Sequence, residues 1–224
     1  MPPPTASSLA LSARRAVEDA LAVVFPVSCA GCDLADRDLC EPCREQLRAS
    51  ARVRQLPGGL EVRSALVFDG VAARVIRSFK EDGRTGLARP LGIALREAWP
   101  AGLDGVPVAV PASRSSMRRR GYAPVVLAAR RAGWRPFPLL SVARATADQR
   151  SLTRDGRAAN LAGAMRARPS AAERLRGRAV VLVDDVVTTG ATLEEATRAL
   201  TAAGVAVAGA VTIAATPLRH RPGG

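Results

Sequence analysis

Apolar residues follow two periods along this chain. Short apolar runs bounded by turn residues predict strands over residues 64–68, 106–110, 179–183 and 205–213. Between them, apolar positions three and four residues apart predict helices over about 71–79, 87–99, 122–131 and 193–203. Strands alternating with helices imply a parallel sheet covered on both faces, because each crossover helix buries its apolar stripe against the sheet. Ahead of this pattern an amphipathic helix is expected over 9–25, with Val17, Leu21, Val24 and Phe25 at helical spacing and Pro26 ending it. Pro57, Gly58 and Gly59 read as a linker, which divides the chain into an N-terminal segment 1–56, a main domain 57–217 and a frayed tail 218–224.

With 224 residues, 48% of them hydrophobic, the chain is long enough for one full domain and a small appendage, and too apolar to be disordered. The net charge of +13 is carried by arginine, since Lys80 is the only lysine beside 32 arginines. A P-loop nucleotide hydrolase is thereby excluded: it needs a lysine within G-x-x-x-x-G-K-[ST], and Lys80 sits in SFKED. As the only lysine Lys80 is well placed to matter, while a helix-end lysine facing solvent is the alternative. An aromatic content of 3% argues against a single-strand platform of stacked rings.

Much of the charge fits a general preference for Arg and Ala over Lys, so an attraction to polyanions rests on where the arginines cluster. Residues 114–131 hold Arg114, Arg118, Arg119, Arg120, Arg130 and Arg131 with no acid, and residues 141–178 hold nine arginines against Asp148, Asp155 and Glu173. No apolar run approaches the roughly 20 residues of a membrane-spanning helix. A cytoplasmic protein without membrane insertion is expected. Arg14 and Arg15 ahead of ALAVVFPVSCA loosely imitate an export signal, but Glu18 and Asp19 interrupt it. The single histidine, His220, lies in the tail, which closes histidine-based acid–base chemistry.

All four cysteines fall in one cluster, Cys29, Cys32, Cys40 and Cys43, as two C-x2-C pairs separated by seven residues. Two such pairs supply four thiolates that surround Zn2+ tetrahedrally and leave no open coordination position, the pattern of a structural knuckle. The alternatives are two disulfides in an exported protein, and a redox C-x-x-C, which needs no second pair beside it.

The segment AVVLVDDVVTTGATLEEATRAL, residues 179–200, carries the most chemistry. Its apolar run predicts a buried strand that delivers Asp184 and Asp185 at its C-terminal end, where parallel sheets bind ligands. Thr188, Thr189, Gly190, Ala191 and Thr192 then offer hydroxyls and closely spaced backbone N–H groups that open into the next helix, a construction suited to a phosphate monoester. The carboxylates would repel that phosphate, so their place is at hydroxyl groups of the same ligand or at a bound Mg2+. A sugar phosphate meets both demands. A Walker B strand, whose lysine loop is missing, and a chance strand and turn are the alternatives.

This segment resembles the phosphoribosyl pyrophosphate (PRPP) signature of type I phosphoribosyltransferases. The resemblance implies that Asp184 and Asp185 hold the ribose hydroxyls and that the loop from Thr188 to Thr192 holds the 5-phosphate. The order of blocks along the chain is further similar to the ComF family of competence-associated proteins. These blocks are the four-cysteine knuckle after Phe25-Pro26, Lys80 ahead of a glycine, VPASRSSMRRRGY at 110–122, and RATADQRSLTRDGRAAN at 144–160 with Thr146, Gln149, Leu152, Arg157 and Asn160. Two departures concern the expected pyrophosphate loop: the family's R-G-[FY]-N-Q becomes Arg120, Gly121, Tyr122, Ala123, Pro124, and its P-V-P is reduced to AVPAS.

What the resemblance implies is an α/β fold, a type I phosphoribosyltransferase-like parallel sheet flanked by helices, with a small N-terminal four-cysteine zinc knuckle. It implies transfer of a phosphoribosyl group from PRPP with Mg2+ to or from a nucleobase or small amine. Arg114 and Arg150, with Arg144 and Arg157, are the candidates to stabilise the leaving diphosphate. The alternative function is a non-catalytic PRPP or nucleotide-binding competence factor acting in DNA uptake through a helicase or single-stranded DNA.

Overall fold

Four apolar residues in a row, Val180, Val181, Leu182 and Val183, open the central strand β6 (Val180–Val187), and all four are buried because both faces of the sheet are covered. In this computed structural model the described residues are 27–143, 162–175 and 177–217. The strands before β6 are β1 (Arg52–Gln55), β2 (Glu61–Val67), β3 (Val106–Ala109), β4 (Leu140–Val142) and β5 (Met165–Ala167), and β7 (Val207–Ala215) follows it. The helices are α1 (Glu41–Glu45), α2 (Gly70–Glu81), α3 (Ala88–Ala98), α4 (Arg114–Arg120), α5 (Pro124–Arg131), α6 (Pro169–Leu175) and α7 (Ala191–Thr201). The main sheet runs β1-β2-β7-β6-β3, with every pair parallel except the antiparallel β1–β2 edge.

Alternation along β6 divides the core in two. Val181 and Val183 join Val211 and Ile213 of β7 on the face covered by α2, α3 and α5. Val180 and Leu182 face α7, where Leu193, Ala196 and Leu200 lie one helical face apart. Helix α2 shows why these segments are helical: Ala72, Val75, Ile76 and Phe79 make one buried stripe, and Asp69 accepts the Gly70 N–H at its start. Phe79, fully buried, stabilises this packing by about 2–3 kcal/mol.

The cysteine segment is part of the first of these cores. Cys29, Leu39, Cys40, Cys43 and Leu47 cluster with Phe79, Leu87 and Leu91. Polar clamps reinforce the contact: Arg74 of α2 pairs with Asp33, and Arg84 donates to the Ser28 carbonyl at 2.6 Å and to Asp38 Oδ1 at 2.8 Å.

The mixed α/β architecture matches the expected class, and four of the five main-sheet strands coincide with the apolar runs read from sequence. Several details differ. Pro57, Gly58 and Gly59 are not a linker but the turn of the β1–β2 hairpin, closed by Leu56 N–H donating to Leu60 O at 2.9 Å. Strand β1, too polar and short to show an apolar run, lies within the segment assigned to the knuckle. The small β4–β5 hairpin is held from α7 by the buried Glu195, which accepts the Met165 N–H at 2.9 Å and pairs with Arg198 at 2.7 Å. The helix expected over 9–25, the 144–160 block with Arg144, Arg150 and Arg157, and His220 lie outside the described residues. No helix among the described residues is long and apolar enough to cross a membrane.

Candidate functional site

A cleft of about 410 Å³ opens at the C-terminal ends of β2, β3 and β6, with Phe68, Lys80, Val110, Arg120, Asp184 and Asp185 among its walls. This is where a parallel α/β sheet splays its connections apart and leaves room for a ligand. Asp184 and Asp185 sit inside β6, not at its end, since the strand continues through Val187. Each carboxylate accepts the next backbone N–H, Asp184 Oδ1 from Asp185 at 2.8 Å and Asp185 Oδ1 from Val186 at 2.6 Å.

The outer oxygen of Asp185 is claimed by Lys80, whose Nζ lies 2.7 Å from Oδ2. Of the two readings open for Lys80, the solvated helix end is not the one found: its side chain is 25% exposed and points into the cleft. The signal that could have found it was its being the only lysine, two residues before Asp82 and Gly83 end the helix.

Burial pushes the Asp184 carboxyl from 3.8 up to about 8, with the neighbouring Asp185 charge adding to the rise and the Asp185 N–H and Lys80 opposing it. A carboxyl with a raised folded-state value contributes stability that is complete below its unfolded value near 4 and is lost as pH climbs through about 8. Asp184→Asn keeps the acceptor for the Asp185 N–H but cannot ionise. Its melting temperature is expected to exceed that of the parent chain by on the order of 5 °C at pH 8.5 and by less at pH 5. A gap that stays constant between those two pH values would show that the carboxyl does not titrate there.

The loop after β6 begins at Thr188 and passes into α7 at Ala191, two residues earlier than the sequence pattern indicated. Gly190 adopts φ +93°, and a Cβ there would lie 2.5 Å from Leu56 Cδ2, so the turn needs glycine for both its backbone and its packing. Thr189 Oγ1 accepts the Ala191 N–H at 3.4 Å, while among the described residues the amides of Thr189, Gly190 and Thr192 meet no protein acceptor. Those unsatisfied donors at a helix N-terminus are the arrangement that holds an anion. Arg54 of β1, not singled out in the sequence, donates to the Thr188 carbonyl at 3.1 Å and braces the loop from behind.

Of the other candidates, Arg114 opens α4 just beyond the end of β3, after an N-cap in which Ser113 Oγ accepts the Ser116 N–H at 3.2 Å. Arg120, at the other end of α4, lines the cleft and keeps its Nε buried with no hydrogen-bond partner among the described residues. A buried guanidinium donor without a partner, in the wall of the same cleft as the acid pair, is available to an acceptor group of a ligand. Where the R-G-Y motif departs from the family pattern, Ala123 and Pro124 start α5 and contribute apolar wall to the cleft. The pocket also offers two carboxylates, the hard oxygen ligands that Mg2+ accepts alongside substrate phosphates.

The knuckle lies apart from this cleft. Its four sulfurs all lie within 4.8 Å of one another, Cys29 to Cys40 at 3.6 Å and Cys32 to Cys40 at 3.5 Å. Four thiolates at the Zn–S length around one zinc ion stand about 3.8 Å apart, so the cluster could bind that ion. Burial acts against a thiolate at Cys29, yet N–H donors including Cys40 at 3.3 Å and Gly31 at 3.4 Å hold its thiol down at about 6. Gly31 is required by close approach, since a Cβ there would lie 2.6 Å from Cys43 Sγ.

With this geometry in view, the chain compares with known families as follows. A family model described as phosphoribosyl transferase domain matches residues 118–222, which includes β6, the acid pair, the loop and α7. The match begins after β3, so Lys80 and the knuckle lie outside it. No curated protein matches the chain.

Proposed function

We propose that this protein binds PRPP together with Mg2+ and transfers the phosphoribosyl group to or from a nucleobase or small amine, with pyrophosphate as the leaving group. The observation that carries this reading is one cleft combining an acid pair with an adjacent loop of open amides, at the ends of parallel strands. The amides and hydroxyls from Thr188 to Thr192 receive the 5-phosphate, while Asp184 and Asp185 accept hydrogen bonds from the ribose hydroxyls. These contacts fix the sugar so that its anomeric carbon is presented to the open side of the cleft.

Displacement at that carbon passes through an oxocarbenium-like state in which negative charge grows on the departing diphosphate. Mg2+, accompanying the diphosphate, would supply charge neutralisation there. Arg120, with its unpaired buried donor, is joined by Arg114 and Arg150 as the cations proposed for the same task; preorganised donors of this kind contribute several kcal/mol to a barrier. The four cysteines hold a structural zinc ion. The similarity to the ComF blocks supports a cytoplasmic role in competence.

A second reading has its own support. The cleft wall carries Ala123 and Pro124 where the ComF pattern shows amide-bearing side chains, and Ala112 where its P-V-P motif is reduced to AVPAS. This favours a protein that retains the PRPP site without turnover and works in DNA uptake through a helicase or single-stranded DNA.

Calorimetric titration with PRPP, with and without Mg2+, tests the first reading. Binding is expected for the parent chain and at least tenfold weaker for Asp185→Asn, whose amide presents one acceptor fewer to the hydroxyls. Pyrophosphate release across a panel of nucleobases then separates enzyme from binding protein. A parent chain that does not bind PRPP in either buffer sinks both readings.

A further inference from the structure

The acid pair meets its ligand with a cation already seated. Lys80 and Asp185 are both largely withdrawn from solvent, at 25% and 19% side-chain exposure, and their 2.7 Å contact lies in the wall of the cleft. A lysine usually gains little from an ion pair because its long stem loses freedom in forming it. Here the stem starts from an anchored turn. Tyr122 donates its hydroxyl to the Phe79 carbonyl, one residue before Lys80, and packs at a tilt against the Phe79 ring with centroids 5.9 Å apart. Arg74 and Arg84 tie the same helix and its exit to the knuckle.

The charges around the pair are few and named. Arg77, Lys80 and Arg120 line the cleft as cations, with Glu81, Asp184 and Asp185 as acids. Only Lys80 makes an ion pair with the acid pair among the described residues. Without it, the acid pair would stand opposite a phosphate with no cation bonded to it among the described residues.

We propose that Lys80 is a positioning residue, the resident counter-cation of the Asp184–Asp185 pair, and that it lets the cleft bind a pentose 5-phosphate without a divalent ion. The assignment rests on the reading of the cleft as a sugar-phosphate site. Its content is a division of labour: the ammonium neutralises the acid pair for the sugar hydroxyls, and the divalent ion is left to the diphosphate.

The test is calorimetric titration of the full chain with ribose 5-phosphate in magnesium-free buffer and again with Mg2+. The parent chain is expected to bind with affinities within about twofold of each other, because the neutralising charge is already present. Lys80→Met is expected to bind about 10–100-fold more weakly without Mg2+, the worth of one charge-assisted contact, and to recover most of that loss when Mg2+ is added. Lys80→Arg, which retains the charge, should stay within about tenfold of the parent.

A parent chain that needs Mg2+ for more than a tenfold gain, a Lys80→Met variant that binds as tightly as the parent, or a Lys80→Arg variant as weak as Lys80→Met overturns the proposal. Should Lys80→Met fail to fold, the parent comparison and Lys80→Arg still decide. Absence of ribose 5-phosphate binding by every variant in both buffers instead overturns the sugar-phosphate reading beneath it.

Discussion

Cys43→Ser is expected to abolish zinc binding and to lower the melting temperature by about 10 °C or more. The expectation follows from where the knuckle sits. Cys29, Cys40 and Cys43 are buried in the same core as Phe79, Leu87 and Leu91, so the cysteine cluster is continuous with the packing of α2 and α3. Structural zinc contributes about 10 kcal/mol or more to peptides that fold around it, and only part of that needs to be felt here for a shift of this size. Burial and the three neighbouring sulfurs push the Cys43 thiol above its ordinary range, and a bound cation would act in the opposite direction.

Metal analysis of protein purified without chelator, alongside thermal melts, checks this. Near-stoichiometric zinc in the parent and none in Cys43→Ser, together with the drop in stability, is the expected pair of results. Prolonged chelation of the parent should produce the same drop. A parent free of zinc, or a Cys43→Ser chain that melts like the parent, would show that packing alone holds the knuckle. Thiol counting under denaturing conditions should find four free cysteines, in agreement with their unpaired state in the structure.

The second large effect is expected at Gly190. Alanine at this position meets two penalties at once, a left-handed backbone at φ +93° and a Cβ 2.5 Å from Cδ2 and 2.8 Å from Cδ1 of Leu56. The left-handed conformation costs roughly 1–2 kcal/mol in a residue with a Cβ, and forcing extra volume against a packed neighbour roughly 1–3 kcal/mol. Leu56 is buried and its backbone is bonded into the β1–β2 turn, so any shift of its side chain is made inside the packed core. A loss of about 2–5 kcal/mol is expected, and the loop amides would move away from the phosphate position, weakening PRPP binding by more than about 100-fold.

Gly204→Ala supplies the contrast. Its φ is +73°, but nothing lies within 4 Å of the added Cβ. It should cost only the backbone share and leave PRPP binding intact. Equal losses of stability at the two positions would show that the Leu56 contact is not what makes Gly190 necessary. Unchanged PRPP affinity in Gly190→Ala would detach the loop from phosphate binding.

Much of this molecule is legible in its sequence, for reasons of periodicity and local chemistry. Buried parallel strands show as uninterrupted apolar runs, which is why β6 and its neighbours stand out. The acid pair and the T-T-G-A-T loop are legible because their residues are contiguous and their backbone requirements are local, a left-handed glycine followed by a helix start. The two C-x2-C pairs are legible because the spacing of thiolates around a tetrahedral ion is also a local matter.

Tertiary structure decided what depends on contacts between distant segments. Residue 80 lies more than 100 positions from Asp185, and no pattern around SFKED distinguishes a solvated helix end from a cation held against a carboxylate; Tyr122 and the knuckle clamps settle that choice. Arg54 behind Thr188 comes from a polar edge strand, β1, that carries no strand signal, and Leu56 under Gly190 from the turn that follows it. Burial of Cys29, Cys40 and Cys43 together with α2 and α3 follows from packing, which no spacing of cysteines encodes. Local propensity and period are properties of a segment, whereas the charge balance of a cleft is a property of the surfaces that meet there.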